Sequence, residues 1–209
     1  MKRLIPKGLY AITLENFSNG KNNITVVKEM LDAGIKILQY RDKYKTKLEK
    51  FKQCEVIRKL TLDYGVFFIV NDDIDICLSL KSDGIHLGQS DLPITKAREI
   101  VGDDINIGLS THSPEQAIRA VEQGADYIGV GPIYKTFTKN VNPVGLDYLD
   151  FCTKNIFIPK VAIGGIKLSN LSKICKYKPD NICMVSEITM AVNVKLTVKK
   201  AEEILNDYY

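Results

Sequence analysis

The stretch FIVNDDIDICLSLKSDGIHLGQSD, residues 68–91, decides the fold. Two short apolar runs mark it. The first, residues 66–70, begins two residues before the stretch, and the second covers residues 84–87. Each run is followed at once by polar and acidic residues. A short helical segment, residues 75–81, is predicted between them. Because two strands joined through a helix run parallel, their C-terminal ends lie at the same edge of a sheet.

Asp72 follows the first of these strands and Asp91 follows the second. The parallel arrangement predicts that the two carboxylates meet at one edge, although they are far apart in the sequence. Such a pair can hold a hard divalent cation, which prefers oxygen ligands. Two solvated loop acids are the alternative, because aspartate is also common in turns.

The composition is that of a single globular domain, expected to cover residues 1–209. The chain has 209 residues, of which 45% are hydrophobic, and single α/β barrels commonly have about 200–250 residues. The net charge of +4, from 29 basic and 25 acidic residues, indicates neither nucleic acid nor a membrane as a partner. It could serve an anionic small substrate, and a homo-oligomer is possible.

We expect a cytoplasmic protein. No apolar run reaches the roughly 18 residues of a membrane span, and Pro6 and Lys7 interrupt any signal core at the N-terminus. The cysteines show no C-x-x-C spacing, which favours reduced core thiols over a zinc site. They are Cys54, Cys77, Cys152, Cys175 and Cys183.

The remaining apolar runs extend the same strand-then-helix pattern along the chain. The predicted strands are residues 8–13, 35–40, 66–70, 84–87, 105–110, 125–130, 158–163 and 182–185, and the last predicted helix covers 194–207. The helix after the fifth strand should begin with a capping box between Ser113 and Gln116. Eight such units predict an α/β protein with a closed (β/α)8 TIM barrel. A flavodoxin-like open sheet needs only five strands and is less favoured.

Polar residues collect after the strands, where barrels carry their chemistry. Arg41 and Lys43 follow the second strand, and their spacing of two places both on one side of an extended chain. Two cations there suit a pyrophosphate, whereas a salt bridge with Asp42 at the barrel rim is the alternative. Asn71, beside Asp72, could donate to a phosphate or could simply form the turn.

A second anion site is predicted at the other side of the mouth. Gly164 and Gly165 follow the seventh strand and Ser186 follows the eighth, where barrels often bind phosphate. A tight turn that needs positive φ is the alternative for the glycines. Two anion sites indicate two phosphorylated substrates, one of which loses pyrophosphate.

Two further polar features follow the fifth and sixth strands. The loop of residues 136–139, TFTK, could reach over a bound ligand and exclude water, or could be a solvated surface loop. His112 could act as an acid or base, but we interpret it as a hydrogen-bonded structural residue.

Six segments, in this order and at compatible spacing, resemble the thiamine-phosphate synthase (thiamine phosphate pyrophosphorylase) family. They are LQYRDK (38–43), FIVNDDIDICLSLKSDGIHLGQSDLP (68–93), IGLSTHS (107–113), ADYIGVGPIYKTFTK (125–139), VAIGGI (161–166) and MVSEIT (184–189). The resemblance implies a (β/α)8 transferase of thiamine biosynthesis that uses Mg²⁺. Such an enzyme couples 4-amino-2-methyl-5-hydroxymethylpyrimidine diphosphate with 4-methyl-5-(2-hydroxyethyl)thiazole phosphate, giving thiamine phosphate and pyrophosphate by a dissociative displacement.

The resemblance also implies the roles of individual residues. Those expected to bind the pyrimidine diphosphate are Gln39, Tyr40, Arg41, Asp42, Lys43, Asn71, Ser110 and Lys139. Those expected to bind the thiazole phosphate are Thr136, Phe137, Thr138, Gly165, Val185 and Ser186. Asp72 and Asp91 would hold Mg²⁺. Arg41, Lys43 and Lys139 would act in catalysis, by stabilising charge on the leaving pyrophosphate.

Three residues depart from the family pattern: Tyr40, Lys135 before the TFTK loop, and Glu187 after the serine. The last two could alter loop closure or the charge near the thiazole phosphate. Two rival functions remain. One is a thiazole tautomerase on a sister barrel, which should not need the Arg41, Asn71, Asp72 and Lys139 set. The other is a non-catalytic sensor of phosphorylated ligands.

Overall fold

The computed structural model describes residues 2–138 and 141–208. Its eight parallel strands form a closed barrel in chain order, in which the last strand pairs with the first. The strands are β1 (Gly8–Ile12), β2 (Ile37–Tyr40), β3 (Phe67–Asn71), β4 (Gly84–Leu87), β5 (Asn106–Thr111), β6 (Tyr127–Val130), β7 (Lys160–Ile163) and β8 (Asn181–Cys183). The predicted (β/α)8 barrel is therefore confirmed.

Helices follow the strands and cover the outside of the barrel. They are α1 (Asn23–Asp32), α2 (Lys47–Asp63), α3 (Ile74–Ser79), α4 (Ile94–Val101), α5 (Pro114–Glu122), α6 (Gly145–Asn155), α7 (Leu168–Cys175), α8 (Ser186–Thr189) and α9 (Val194–Asn206). A 3-10 turn, Glu15–Phe17, follows β1. Within the described residues, no helix has both the length and the apolar character needed to cross a membrane.

The strands are buried on both faces, as expected for parallel strands inside a shell of helices. Alternate side chains of each strand point to the helices and to the barrel interior. The interior set packs as one cluster, and its buried members are Tyr10, Ile12, Ile37, Phe67, Ile69, Tyr127, Val161 and Cys183. The interior is thus packed with side chains.

The register of β3 and β4 fixes the start of the acidic loops. Asn71 pairs with His86 across the two strands, and the Asp72 amide donates to the His86 carbonyl at 2.9 Å. The ladder therefore continues one residue beyond β3, directly into the first aspartate. Both acidic loops leave the sheet at the same edge, as residues 68–91 predict.

The start of α5 differs from the predicted capping box. The Ser113 side chain accepts from the Gln116 amide, as a cap should. The Gln116 side chain, however, accepts from the His112 amide at 2.8 Å. It reaches one residue beyond the cap position and ties the helix to the end of β5.

The chain around β8 also differs from the prediction. The strand ends at Cys183, and Val185, predicted to end it, instead precedes α8 with a φ of −83° and a ψ of −82°. The Val185 carbonyl accepts from the Ile188 and Thr189 amides. A helix of four residues is too short to show a helical period in the sequence, so the pattern gave no sign of α8.

Candidate active site

A cavity of about 420 Å³ opens at the C-terminal mouth of the barrel. It contains side chains from the ends of β2, β3, β4, β5 and β6 and from the segment after β8. The predicted site residues that line it are Gln39, Arg41, Lys43, Asn71, Asp72, Asp91, Ser110, Thr136, Thr138 and Val185. Residues far apart in the sequence are thus brought to one place.

The other predicted residues are not among those that line the cavity: Tyr40, Asp42, Phe137, Gly165 and Ser186. For β2 the reason is strand alternation, which turns Tyr40 and Asp42 away from the side that Gln39 and Arg41 share. The Tyr40 hydroxyl donates to Gln53 at 2.9 Å. The Asp42 carboxylate lies 3.6 Å from the Lys45 ammonium. Asp42 is thus paired with Lys45 and not with Arg41 or Lys43, the two cations that line the cavity.

Asp72 and Asp91 lie beside one another in the cavity. The Lys43 ammonium is 3.8 Å from Asp72, and Asp91 accepts from the Gly88 amide at 2.6 Å. Burial, together with the neighbouring Asp91 carboxylate, raises the pKa of Asp72 to about 6. Asp72 also has a φ of 62°, which is rare for a residue other than glycine. Two carboxylates are thus held together at a cost that a cation between them would relieve.

This pair fits Mg²⁺ by the chemistry of its donors. Magnesium is usually held by one or two carboxylates together with substrate phosphate oxygens and water. Among residues 2–138 and 141–208, His, Cys, Asp and Glu form no cluster of three or more that could hold a metal. A metal held by this pair would need phosphate oxygens or water to complete its coordination.

Arg41 is held in place through its backbone. Its amide donates to the Thr13 hydroxyl at 2.9 Å, and that hydroxyl donates back to the Arg41 carbonyl at 3.1 Å. Burial lowers the pKa of the Arg41 guanidinium, and the negative charge of Asp72 acts in the opposite direction. Arginine remains charged at neutral pH. Sequence reasoning missed Thr13, which is buried and acts only through the Arg41 backbone.

The loop after β6 extends over the mouth. The Thr136 and Thr138 hydroxyls line the cavity and lie 3.0 Å apart. Phe137, between them, points away and stacks on Phe17 with ring centroids 6.4 Å apart. Because β6 and β1 are not neighbours in the barrel, this contact links two sides of the mouth. Lys139 lies outside the described residues, and its role remains a prediction.

Gly164 and Gly165 allow the β7 loop to pack against the β6 loop. Both glycines have positive φ. A Cβ added to Gly164 would lie 2.3 Å from the Pro132 Cβ, and a Cβ added to Gly165 would lie 2.7 Å from the Lys135 carbonyl oxygen. The Tyr134 amide donates to the Gly164 carbonyl at 3.0 Å. These contacts support the tight-turn interpretation, and only Gly164 of the pair lines the cavity.

The N-terminus of α7, which follows the two glycines, is bound by side chains of the protein. Glu187 accepts from the Leu168 amide at 3.1 Å, and Asn170 accepts from the Lys167 amide at 2.8 Å. A carboxylate therefore lies where an anion would be favoured by the helix dipole. This is the structural consequence of the departure at Glu187.

His112 is hydrogen-bonded within the protein. Its Nδ1 contacts the Gly131 carbonyl, and its backbone amide is bound by Gln116. The ring lines the cavity while it joins the ends of β5 and β6. These contacts agree with the interpretation of His112 as a structural residue.

Two carboxylates and two cations at the C-terminal mouth of a (β/α)8 barrel are typical of an enzyme that acts on phosphorylated ligands. A sequence model of the family described as thiamine monophosphate synthase matches residues 9–188. The chain is 47% identical over 205 residues to a thiamine-phosphate synthase of Pelotomaculum thermopropionicum, with 97% and 94% of the two chains covered. It is 48% identical over 199 residues to that of Lawsonia intracellularis, covering 94% and 92%. The chain belongs to the thiamine-phosphate synthase family, whose members are transferases.

Solved structures agree. The thiamine phosphate pyrophosphorylase of Pyrococcus furiosus superposes with a TM-score of 0.90 at 32% identity, and 96% of each chain is covered. A 3-hexulose-6-phosphate synthase superposes with a TM-score of 0.71 at 15% identity, covering 95% of this chain and 99% of the other. The second match concerns the fold alone. The family predicted from the motifs is thus confirmed.

Proposed function

We propose that this protein couples the pyrimidine diphosphate with the thiazole phosphate to give thiamine phosphate and pyrophosphate, with Mg²⁺ as its cofactor. The observation that carries the proposal is the meeting of Asp72, Asp91, Arg41 and Lys43 in one cavity. These are the groups that a metal-bound diphosphate requires. The family of the chain supports the same reaction.

The diphosphate would lie against the cations of the β2 end. Breaking the carbon–oxygen bond builds negative charge on the leaving pyrophosphate, and Arg41 and Lys43 would donate to that charge. Lys139 would approach it from the β6 loop, and Asn71 would donate to a phosphate oxygen. Asp72 and Asp91 would hold Mg²⁺, which supplies further positive charge to the diphosphate oxygens when bound.

The pyrimidine would leave as a resonance-stabilised cation, which the thiazole nitrogen captures. Bond formation then needs no general base. Water must be kept away, because it would convert the cation to the alcohol. The β6 loop would be the lid that excludes water. The stacking of its Phe137 on Phe17, in the turn after β1, supports this role.

The thiazole phosphate would bind between the β6 loop and the ends of β7 and β8. Thr136 and Thr138 would contact it from one side, and Val185 and Gly164 lie on the wall of the same cavity. Gly165 and Ser186 would contribute backbone amides close to the cavity rather than side chains. We also propose that the protein acts in the cytoplasm, since its five free, buried cysteines suit a reducing compartment.

The test is an assay with both substrates and Mg²⁺ that measures pyrophosphate and thiamine phosphate together. A thiazole tautomerase or a sensor would release no pyrophosphate, so that result would overturn the proposal. Asp72→Ala should abolish the Mg²⁺-dependent turnover. The matched control is Asp150→Ala, which removes an exposed carboxylate paired with Lys154 on α6 and should leave turnover unchanged.

A further inference from the structure

A chain of hydrogen bonds crosses the barrel interior beneath the cavity. The Gln39 amide nitrogen contacts the Tyr10 hydroxyl at 2.9 Å, which lies 3.2 Å from the Tyr127 hydroxyl. His86 continues the chain, with Nδ1 3.0 Å from the Tyr127 hydroxyl and Nε2 2.9 Å from the Ser110 hydroxyl. Both ends, Gln39 and Ser110, line the cavity.

The chain has a direction, because each phenol carries one proton. When Gln39 donates to Tyr10, Tyr10 donates to Tyr127 and Tyr127 donates to His86 Nδ1. The neutral imidazole then carries its proton on Nε2 and donates it to Ser110. Gln39 is left with its carbonyl oxygen as an acceptor for the cavity, and Ser110 is left with its own proton to donate.

The chain can also run in the opposite direction. If Gln39 accepted from Tyr10, His86 would carry its proton on Nδ1 and Ser110 would become an acceptor. In both of these arrangements of the neutral imidazole the two ends differ: where one donates into the cavity, the other accepts. Burial raises the pKa of both Tyr10 and Tyr127, so both phenols keep the protons that this coupling needs.

The sequence makes room for the Tyr127 ring with a glycine on β5, and a second glycine on β6 lies against the His86 ring. A Cβ at Gly108 would lie 2.0 Å from the Tyr127 ring, and a Cβ at Gly129 would lie 3.4 Å from the His86 ring. Any larger residue on β5 at position 108 would displace Tyr127 from the interior. The close fit at Gly108 is independent of the hydrogen bonds and holds the Tyr127 ring in place.

We infer that Tyr10, Tyr127 and His86 are positioning residues that give Gln39 and Ser110 opposite donor and acceptor roles toward the pyrimidine ring. This inference rests on the proposed function. The aminopyrimidine edge presents a donor, the 4-amino group, beside an acceptor, the ring nitrogen. In the direction that the structure gives, with Gln39 donating to Tyr10, the site offers one acceptor and one donor. That pair matches the aminopyrimidine edge and opposes the 4-oxo analogue, in which the two roles are exchanged.

The experiment compares kcat/KM for the 4-amino and 4-oxo pyrimidine diphosphates in Tyr127→Phe, which cuts the chain but keeps the ring. The preference for the amino substrate should fall by about tenfold, the value of one hydrogen bond. Tyr10→Phe cuts the neighbouring link and should give the same fall, so it serves if Tyr127→Phe does not fold. The double variant should show no further loss, because both substitutions break one chain.

Tyr148→Phe is the matched control. It removes another buried hydroxyl, which donates to Thr111 at 2.7 Å outside the chain, and it should leave the preference unchanged. Equal losses with both substrates in Tyr127→Phe, or an unchanged preference in both single variants, would overturn the inference. Absence of pyrophosphate release by the unmodified protein would instead refute the proposed function, so the two failures are distinguishable.

Discussion

Replacing Asp72 by asparagine should make the protein more stable in the absence of metal. The same substitution should abolish its activity. Asparagine keeps the shape of the side chain and tolerates the positive φ at this position. It removes the charge that burial and Asp91 disfavour. The folded-state pKa of Asp72 lies above its unfolded value, so its contribution to stability is present at low pH and is lost as the pH rises through about 6.

The size of the effect follows from the raised pKa. A rise from 3.8 to about 6 corresponds to roughly 3 kcal/mol at pH 7. Because 33% of the side chain is exposed, solvent screening reduces this to about 1–2 kcal/mol. For a chain of this size the gain in Tm should be roughly 2–8 °C.

The assay is thermal unfolding with a chelator at a series of pH values. The Tm difference between Asp72→Asn and the unmodified protein should be near zero below the unfolded pKa of 3.8 and should grow as the pH rises to neutrality. A less stable variant at pH 7, or a difference that does not change with pH, would refute the reasoning.

Asp180→Asn is the control of opposite sign. Burial raises the pKa of Asp180, but the hydrogen bonds and charge of Lys160, together with the charge of Lys7, lower it overall. The Lys160 ammonium is 2.9 Å away. Its contribution to stability is present above the unfolded pKa and is lost as the pH falls below it. The variant should therefore be less stable than the unmodified protein at pH 7, and the difference should shrink in acid.

Three further outcomes are expected. Lys139→Ala should slow coupling by more than about tenfold, measured as the rate of thiamine phosphate formation. Phe137→Ala, which removes the stack on Phe17, should admit water, so that pyrophosphate release exceeds thiamine phosphate formation; a ratio that stays at one would refute the lid. Glu187→Gln removes the charge bound to the Leu168 amide and should lower the KM for thiazole phosphate by about two- to fivefold, whereas a higher KM would show that the carboxylate assists binding.

The sequence predicts the barrel and its acidic edge because both depend on local patterns. The apolar runs around residues 68–91 specify β3 and β4, and the parallel connection alone brings Asp72 and Asp91 together. The spacing of Arg41 and Lys43 is equally informative, since both side chains line the cavity.

Other features depend on contacts that the local pattern does not contain. Tyr10 and Tyr127 read as ordinary core residues of two distant strands, and only the closed barrel places their hydroxyls together. The bond from Glu187 to the start of α7 likewise joins separate loops. Tyr40 differs from these, because strand alternation already indicated that it turns away from the side that Gln39 faces.

The most direct measurement is calorimetric titration of Mg²⁺ into the protein, with and without the pyrimidine diphosphate. We predict that the diphosphate strengthens Mg²⁺ binding by at least about tenfold, since the substrate supplies the missing oxygen ligands. Asp72→Ala and Asp91→Ala should each abolish that gain. Unchanged Mg²⁺ binding in both variants would contradict the assignment of the two carboxylates and, with it, the proposed site.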